Sequence, residues 1–115
     1  DGIAGGKPHP RVYGSTARFL GKYVREEGAL SLPQAVRRLT SLPAQRLRLQ
    51  DRGLVREGMV ADITVFDPET IRDRGTYADP NQYPAGIEYV LVAGQVAVEQ
   101  GRLTGVRAGQ VLRRR

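Results

Sequence analysis

The chain has 115 residues, of which 40% are hydrophobic and 26% charged, a composition that fits one globular domain at most and excludes a disordered segment. It contains no cysteine, which excludes disulfides and thiolate metal sites within the chain and favours a reducing, cytoplasmic location; no apolar run approaches the roughly 18 residues of a membrane-spanning helix, so no membrane partner is expected. The net charge of +6 comes from 18 basic and 12 acidic residues, but the basic residues are scattered and many stand beside acids, so a solvated surface is predicted and nucleic-acid binding is only an alternative.

The first half of the chain begins with a stretch rich in glycine, proline and charged residues. Residues 1–16, DGIAGGKPHPRVYGST, are predicted to form a loop. A helix is predicted over residues 17–27, ended by Gly28, although Gly21 in its interior costs about 1 kcal/mol relative to alanine. Four apolar side chains define the stripe of this helix that is expected to be buried: Phe19, Leu20, Tyr23 and Val24.

Two copies of the tripeptide SLP predict the starts of two further short helices. Ser31 and Gln34 have the spacing of a capping box, and Pro33 lies in the first turn, where its missing N–H costs no hydrogen bond. Ser41 is predicted to cap the second of these helices. Four side chains of the two helices are expected to face inward: Val36, Leu39, Leu42 and Leu47.

The second half of the chain changes to the period of β-strands after a turn signal at Asp51-Arg52-Gly53. Three strands are predicted, with a long polar loop after the first and a tight turn between the other two. The predicted segments are strand 61–66, loop 69–86, strand 87–92, turn 93–95 and strand 96–100. Helices followed by a small antiparallel sheet make an α+β chain.

The predicted core is too small for a domain that folds alone. The chain has only two Phe and no Trp to fill the space between three short helices and three strands, which would be marginal by themselves. It also begins with Asp1 rather than Met. We therefore expect it to be the C-terminal part of a longer protein and to pack on the remainder of that protein.

Asp1, His9 and Arg11 are the residues that could carry chemistry. A carboxylate such as Asp1, followed at once by glycine, could act as a general base, although a solvated terminal acid is the ordinary interpretation. Pro10 fixes the backbone before Arg11, whose guanidinium could clamp a carboxylate; the alternative is one surface arginine among 16. His9, the single histidine, is expected to be a hydrogen-bonded structural residue. The sequence has no HxH, HExxH or GxSxG motif, so these residues alone do not form a complete active site.

Three motifs resemble the N-acyl-D-amino-acid deacylases (D-aminoacylases) of the amidohydrolase superfamily: HPRVYG at 9–14, LTSLPAQRL at 39–47 and TYADPNQYPAGI at 76–87. The likeness runs through almost the whole chain. Residues 54–68 resemble many amidohydrolases, dihydroorotase-like members included, and indicate only the superfamily. The resemblance implies that residues 1–50 are the end of a (β/α)8 barrel, with an active-site loop and the last helices. Residues 51–115 would then supply the C-terminal strands of a small β-sandwich.

The resemblance also implies an activity, which is zinc-dependent hydrolysis of N-acyl-D-amino acids to a carboxylate and a D-amino acid. By similarity, Asp1 matches the general base that takes a proton from the metal-bound water and passes it to the leaving amine. Arg11 matches the arginine that holds the α-carboxylate of the substrate. The zinc ligands of the family belong to earlier barrel strands, so no metal ligand is expected within this chain, and the chain alone is expected to be inactive.

The side chain of the substrate is not predicted, because D-glutamate, D-aspartate and neutral residues remain open. The resemblance leaves two alternatives to a D-amino-acid deacylase. One is another amidohydrolase, such as a cyclic-amide hydrolase, against which the HPRxYG motif argues. The other is a basic module that binds nucleic acid, which an arginine stripe on one face would favour.

Overall fold

The computed structural model describes residues 6–113 and shows the predicted α+β order, with helices preceding a small antiparallel sheet. The described residues form two compact units. One unit contains residues 6–35 and 67–86, and the other contains residues 36–66 and 87–113. In this part of the chain, no helix has both the length and the apolar composition needed to span a membrane.

The first helix begins six residues earlier than predicted and changes its geometry midway. Helix α1 spans Arg11–Arg18 and continues directly into a π-helical segment, Phe19–Glu26. The loop prediction for residues 11–16 is wrong because Pro10, with φ of −53° and ψ of −24°, already has helical dihedrals and starts the helix. The π-helical segment was not predicted, since the apolar period does not distinguish π from α geometry over eight residues.

Small residues form most of the buried face of this helical stretch. Most residues of the predicted apolar stripe are not buried. Of that stripe, only Leu20 is buried, and Tyr23 is 41% exposed. A Cβ atom on Gly14 would lie 2.9 Å from the Cβ of Asp73, so the segment around Asp73 packs directly on the helix backbone. The buried residues of the stretch are Gly14, Ala17, Leu20 and Gly21.

Residues 67–86 contain the long loop predicted over residues 69–86, and two arginines attach this segment to the helical stretch of the same unit. Arg25 Nη1 donates hydrogen bonds to the carbonyl oxygens of Pro68 (3.0 Å) and Ile71 (2.7 Å). Arg18 pairs with the carboxylate of Asp73 at 3.1 Å, and this hydrogen bond raises the pKa of Arg18 above its ordinary value. The loop is therefore held along the helix by charged donors, and its own residue Ile71 is buried, at 2% exposed.

Helix α2 spans Leu32–Leu39 and confirms the predicted capping box. The Gln34 N–H donates to Ser31 Oγ at 3.4 Å, and the Ser31 N–H donates to Gln34 Oε1 at 3.2 Å. Both donors would otherwise lack an intrahelical partner, so the box stabilises the start of the helix.

Helix α3 spans Ser41–Leu47, but Ser41 does not cap it as predicted. Ser41 is already the first helical residue, and Thr40 occupies the cap position. The Thr40 hydroxyl donates backward to the carbonyl oxygen of Val36 (2.7 Å), so it bonds the preceding helix. The prediction failed because Thr40 and Ser41 are neighbouring hydroxyl residues that local pattern alone does not separate.

The two outer leucines predicted to face inward from α2 and α3 are exposed. Leu39 is 36% exposed and Leu47 58% exposed, whereas Val36 and Leu42 are half-buried. Alanines take the buried positions of these helices, namely Ala35 and Ala44.

Within residues 6–113, four strands form one antiparallel sheet in the order β1-β2-β3-β4. The three predicted strands are confirmed, whereas the fourth, of only two residues, is too short for its sequence pattern to have indicated it. The strands are β1 (Ile63–Phe66), β2 (Ile87–Val92), β3 (Gln95–Glu99) and β4 (Arg102–Leu103).

The turn between β2 and β3 has two residues rather than the predicted three. Ala93 and Gly94 have φ of +50° and +78°, which is the pattern of a hairpin turn whose twist matches the flanking strands. Asp62 Oδ1 accepts the N–H of Ala93 (2.8 Å), and the Ala61 carbonyl oxygen accepts the N–H of Gly94 (2.9 Å). Strand β1 begins after these two residues because they bond the turn instead of the neighbouring strand.

Candidate functional site

The segment that leads into α1 fixes the backbone of Arg11 from its N-terminal side. The Arg11 N–H donates to His9 Nδ1 at 3.1 Å, and the Val12 N–H donates to the His9 carbonyl oxygen at 3.1 Å. Pro10 between them restricts φ to the observed helical value. His9 and Pro10 together therefore determine where the helix starts and fix the position of the Arg11 backbone.

His9 is in turn held by a residue far away in the chain. Its ring meets the ring of Tyr77 edge-on, with centroids 5.2 Å apart and an interplanar angle of 88°. The Tyr77 hydroxyl lies 3.3 Å from His9 Nε2, within hydrogen-bond distance. Both ring nitrogens of His9 thus have partners, in agreement with the structural role expected for it.

Tyr77 belongs to residues 75–83, here called the tyrosine loop, which makes two further contacts with the same segment. Asn81 Nδ2 donates to the Gly6 carbonyl oxygen at 3.0 Å. Tyr83 meets Tyr13 edge-on, with centroids 5.7 Å apart. The tyrosine loop therefore contacts the segment before α1 and the first turn of α1 at three points.

The tyrosine loop also holds its own shape through reciprocal hydrogen bonds. The Thr76 N–H donates to the Asp79 carbonyl oxygen (3.0 Å), and the Asp79 N–H donates to Thr76 Oγ1 (2.9 Å). A Cβ atom on Gly75 would lie 2.9 Å from the Pro80 carbonyl oxygen, so only glycine fits where the loop closes. These internal contacts hold the tyrosine loop in one shape although it contains no strand, so it can support the segment before α1.

The structure places one of the two predicted site residues. Arg11 is exposed at the first position of α1, and within residues 6–113 its guanidinium takes part in no hydrogen bond or ion pair. An exposed guanidinium on a fixed backbone can bind a carboxylate in two-pronged fashion. Asp1 lies outside the described residues, so the structure does not relate it to Arg11. The roles of both residues stay predictions.

The described residues do not form a metal site. Within 6–113, no three side chains of His, Cys, Asp or Glu lie together as a group that could bind a metal ion. A zinc site needs three or four such ligands, and this chain contains a single His and no Cys. The described residues alone therefore cannot hold the zinc, whose ligands the resemblance assigns to earlier strands of the barrel.

Sequence reasoning missed Tyr77, Asn81 and Tyr83 as neighbours of the Arg11 segment. It used their motif, TYADPNQYPAGI, as a sign of the family but assigned the motif no partner. The sequence did contain a signal for this contact, because two tyrosines among turn-forming residues indicate a loop whose aromatic rings pack on another part of the protein. Which segment it contacts is a tertiary fact, since Tyr77 and His9 are 68 positions apart.

Comparison with known proteins places these motifs in context. A protein-family model described as "Amidohydrolase family" matches residues 2–98. N-acyl-D-glutamate deacylase of Alcaligenes xylosoxydans xylosoxydans is 47% identical over 107 residues, which cover 93% of this chain and 22% of the relative. D-aminoacylase of the same organism is 42% identical over 108 residues, which cover 94% of this chain and 22% of the relative.

A solved structure shows the same arrangement of the chain. N-acyl-D-glutamate deacylase from Bordetella bronchiseptica, in complex with zinc and a phosphonate inhibitor that mimics the tetrahedral intermediate of the reaction, superposes with a TM-score of 0.86. The two are 47% identical, and the match covers 93% of this chain and 22% of the solved chain. The chain thus spans about a fifth of the length of the relatives it matches.

Proposed function

The chain belongs to the amidohydrolase family, and we propose that it forms part of a zinc-dependent N-acyl-D-amino-acid deacylase. The reaction would cleave the amide bond of an N-acyl-D-amino acid and release a carboxylate and the free D-amino acid. The observation that carries the proposal is the HPR segment. It presents the exposed Arg11 on a backbone that is fixed by His9 and supported by the tyrosine loop. Such a group suits a substrate with an α-carboxylate.

We assign the parts of the chain to the larger protein as follows. Residues 1–50 would complete a (β/α)8 barrel, and residues 51–115 would supply strands to a small β-sandwich. In support, all helices of the described residues end by Leu47, and all four strands follow that point. The compact units depart from this linear division in two places, because residues 67–86 belong to the same unit as residues 6–35, and residues 36–50 belong to the unit that contains the strands.

Two residues would act on the substrate. Arg11 would bind the α-carboxylate through two parallel N–H···O bonds and so orient the scissile amide. Asp1 would act as the general base, which accepts the proton of the attacking water and then donates it to the leaving amine. This assignment of Asp1 is supported by the similarity of its Asp-Gly pair to the family motif alone.

Zinc is proposed because a relative that is 47% identical binds it. When bound, the ion would supply Lewis-acid chemistry at the amide carbonyl. Its ligands would come from the part of the longer protein outside this chain, since residues 6–113 contain no suitable cluster. What this chain contributes is therefore carboxylate recognition and a proton-transfer group.

A substrate panel tests the proposal on the full-length protein loaded with zinc. The panel contains the N-acetyl derivatives of D-glutamate, D-aspartate and D-alanine, their L-enantiomers as matched controls, and dihydroorotate as a cyclic amide. At least one D-derivative should be cleaved about a hundredfold faster than its L-form, because a site built around a fixed carboxylate anchor discriminates by geometry. Cleavage of dihydroorotate without cleavage of any D-derivative would contradict the proposal.

A further inference from the structure

We infer that His9 and Tyr77 are positioning residues for Arg11, which hold its backbone where the guanidinium meets the α-carboxylate of the substrate. The inference rests on the proposed function and deepens it, because it assigns roles to a histidine and to a tyrosine that comes from a distant loop. Neither residue touches the substrate in this scheme. Both act through Arg11.

The hydrogen bonds determine the tautomer of His9. A backbone N–H can only donate, so Nδ1, which lies 3.1 Å from the Arg11 nitrogen, must be the acceptor. A neutral imidazole carries one proton, which is then on Nε2 and is donated to the Tyr77 oxygen at 3.3 Å. The Tyr77 hydroxyl thus stabilises the tautomer in which Nδ1 can hold the Arg11 N–H.

Burial does not explain the position of Tyr77. Tyr77 is 77% exposed, so hydrophobic burial contributes little to holding it there. Its described contacts are instead the edge-on packing and the hydrogen-bond approach to His9. An exposed tyrosine that contacts the one histidine preceding Arg11 is well placed to act on Arg11 through that histidine.

Asparagine can replace His9 as the acceptor of the Arg11 N–H. A side-chain acceptor at one position that binds the N–H two positions later is the arrangement of an Asx turn. His9→Asn can therefore supply an oxygen to the Arg11 N–H while losing the contact with Tyr77, whereas His9→Ala loses both. Tyr77→Phe keeps the ring and removes only the hydroxyl. Tyr83→Phe is its matched control, since within residues 6–113 the Tyr83 hydroxyl makes no hydrogen bond.

Steady-state kinetics of the full-length zinc enzyme on its best N-acyl-D-amino acid measure the effect. We expect His9→Ala to raise KM about tenfold with kcat nearly unchanged, because a carboxylate anchor acts in both the ground state and the transition state. His9→Asn should recover most of this loss, Tyr77→Phe should raise KM about threefold, and Tyr83→Phe should leave KM unchanged. Thermal unfolding of each variant shows that it is folded.

Two further measurements separate positioning from a general structural role. On an N-acyl amine that lacks the α-carboxylate, His9→Ala should change kcat/KM less than about twofold, since Arg11 has nothing to bind. In an Arg11→Ala background, His9→Ala should likewise change KM for the carboxylate substrate less than about twofold, because residues that act through one another are not additive.

The outcomes test the positioning role and the proposed deacylase function separately. An unchanged KM in His9→Ala and Tyr77→Phe, equal losses on both substrates, or additive effects with Arg11→Ala would overturn the positioning role while leaving the deacylase proposal intact. A wild-type enzyme that cleaves no N-acyl-D-amino acid would overturn the proposed function and, with it, the inference.

Discussion

Gly21 lies against the backbone of Ile71 so closely that a Cβ atom at position 21 would be 2.5 Å from the Ile71 carbonyl oxygen. No real Cβ atom is found at such a distance from a carbonyl oxygen, so glycine is required here by packing. The same carbonyl oxygen accepts a hydrogen bond from Arg25 at 2.7 Å and cannot move away without breaking it. Gly21 has a low helix propensity, but its missing side chain lets the backbone of residues 67–86 pack directly on the helix.

Gly21→Ala is expected to lower the free energy of unfolding by about 2–3 kcal/mol, although alanine is the better helix former, because overpacking against backbone outweighs the gain in propensity. Urea unfolding of the full-length protein measures the change. Gly109→Ala is the control, since Gly109 has nothing within 4 Å of its would-be Cβ and should be close to neutral. Equal stability of Gly21→Ala and the wild type would contradict the close packing.

Arg11→Ala is expected to raise KM for an N-acyl-D-amino acid about tenfold to a hundredfold, with a smaller effect on kcat, because it removes charge-assisted bonds to the α-carboxylate. Arg11→Lys should recover only part of the loss, since an ammonium group lacks the planar fork. Arg37→Ala, which removes another exposed helical arginine, is the control. An unchanged KM in Arg11→Ala would refute the carboxylate clamp.

Asp1→Asn is expected to lower kcat by about a hundredfold to ten-thousandfold, because the amide cannot accept the proton of the attacking water. Zinc content, measured by elemental analysis of the purified protein, should stay near that of the wild type, since the proposed ligands lie elsewhere. Glu57→Gln provides a neutralised exposed carboxylate for comparison. Full activity in Asp1→Asn would rule out its role as the general base.

Asp62 links the sheet to the loop before it and gives stability a defined dependence on pH. The Ala93 N–H lowers the pKa of Asp62 below its ordinary value of 3.8, and Arg52, 2.9 Å away, lowers it further. The folded state therefore favours the charged carboxylate, and its contribution is present above the ordinary pKa and lost as the pH falls through the folded pKa.

Asp62→Asn should consequently be less stable than the wild type near neutral pH, by at most about 1 kcal/mol because solvent screens part of the interactions of a side chain that is 37% exposed, and the difference should shrink as the pH falls below about 4. Unfolding in urea at several pH values measures this difference directly. Asp51→Asn is the control, because Asp51 also pairs with Arg52 but its side chain is 54% exposed, and such a pair contributes little. A difference that is independent of pH would show that charge is not the cause.

Local patterns predicted the parts of the fold whose causes lie within a few residues. The Ser31–Gln34 capping box, the hairpin of β2 and β3 and the polar loop at 69–86 follow from spacing and turn residues, and the structure contains them. The motif around Arg11, together with those at residues 39–47 and 76–87, indicated the family by resemblance.

Only the tertiary structure decided which distant groups meet. Sequence periodicity placed the helix start at residue 17 and treated Gly21 as a cost, since the partner that needs the glycine is Ile71, 50 positions later in the chain. It also left His9 with no partner, because Tyr77 comes from a loop whose pattern indicates turns but not the surface on which it packs. The sequence by itself thus determined the order of the elements and the candidate anchor, Arg11. Long-range packing determined what holds that anchor in place.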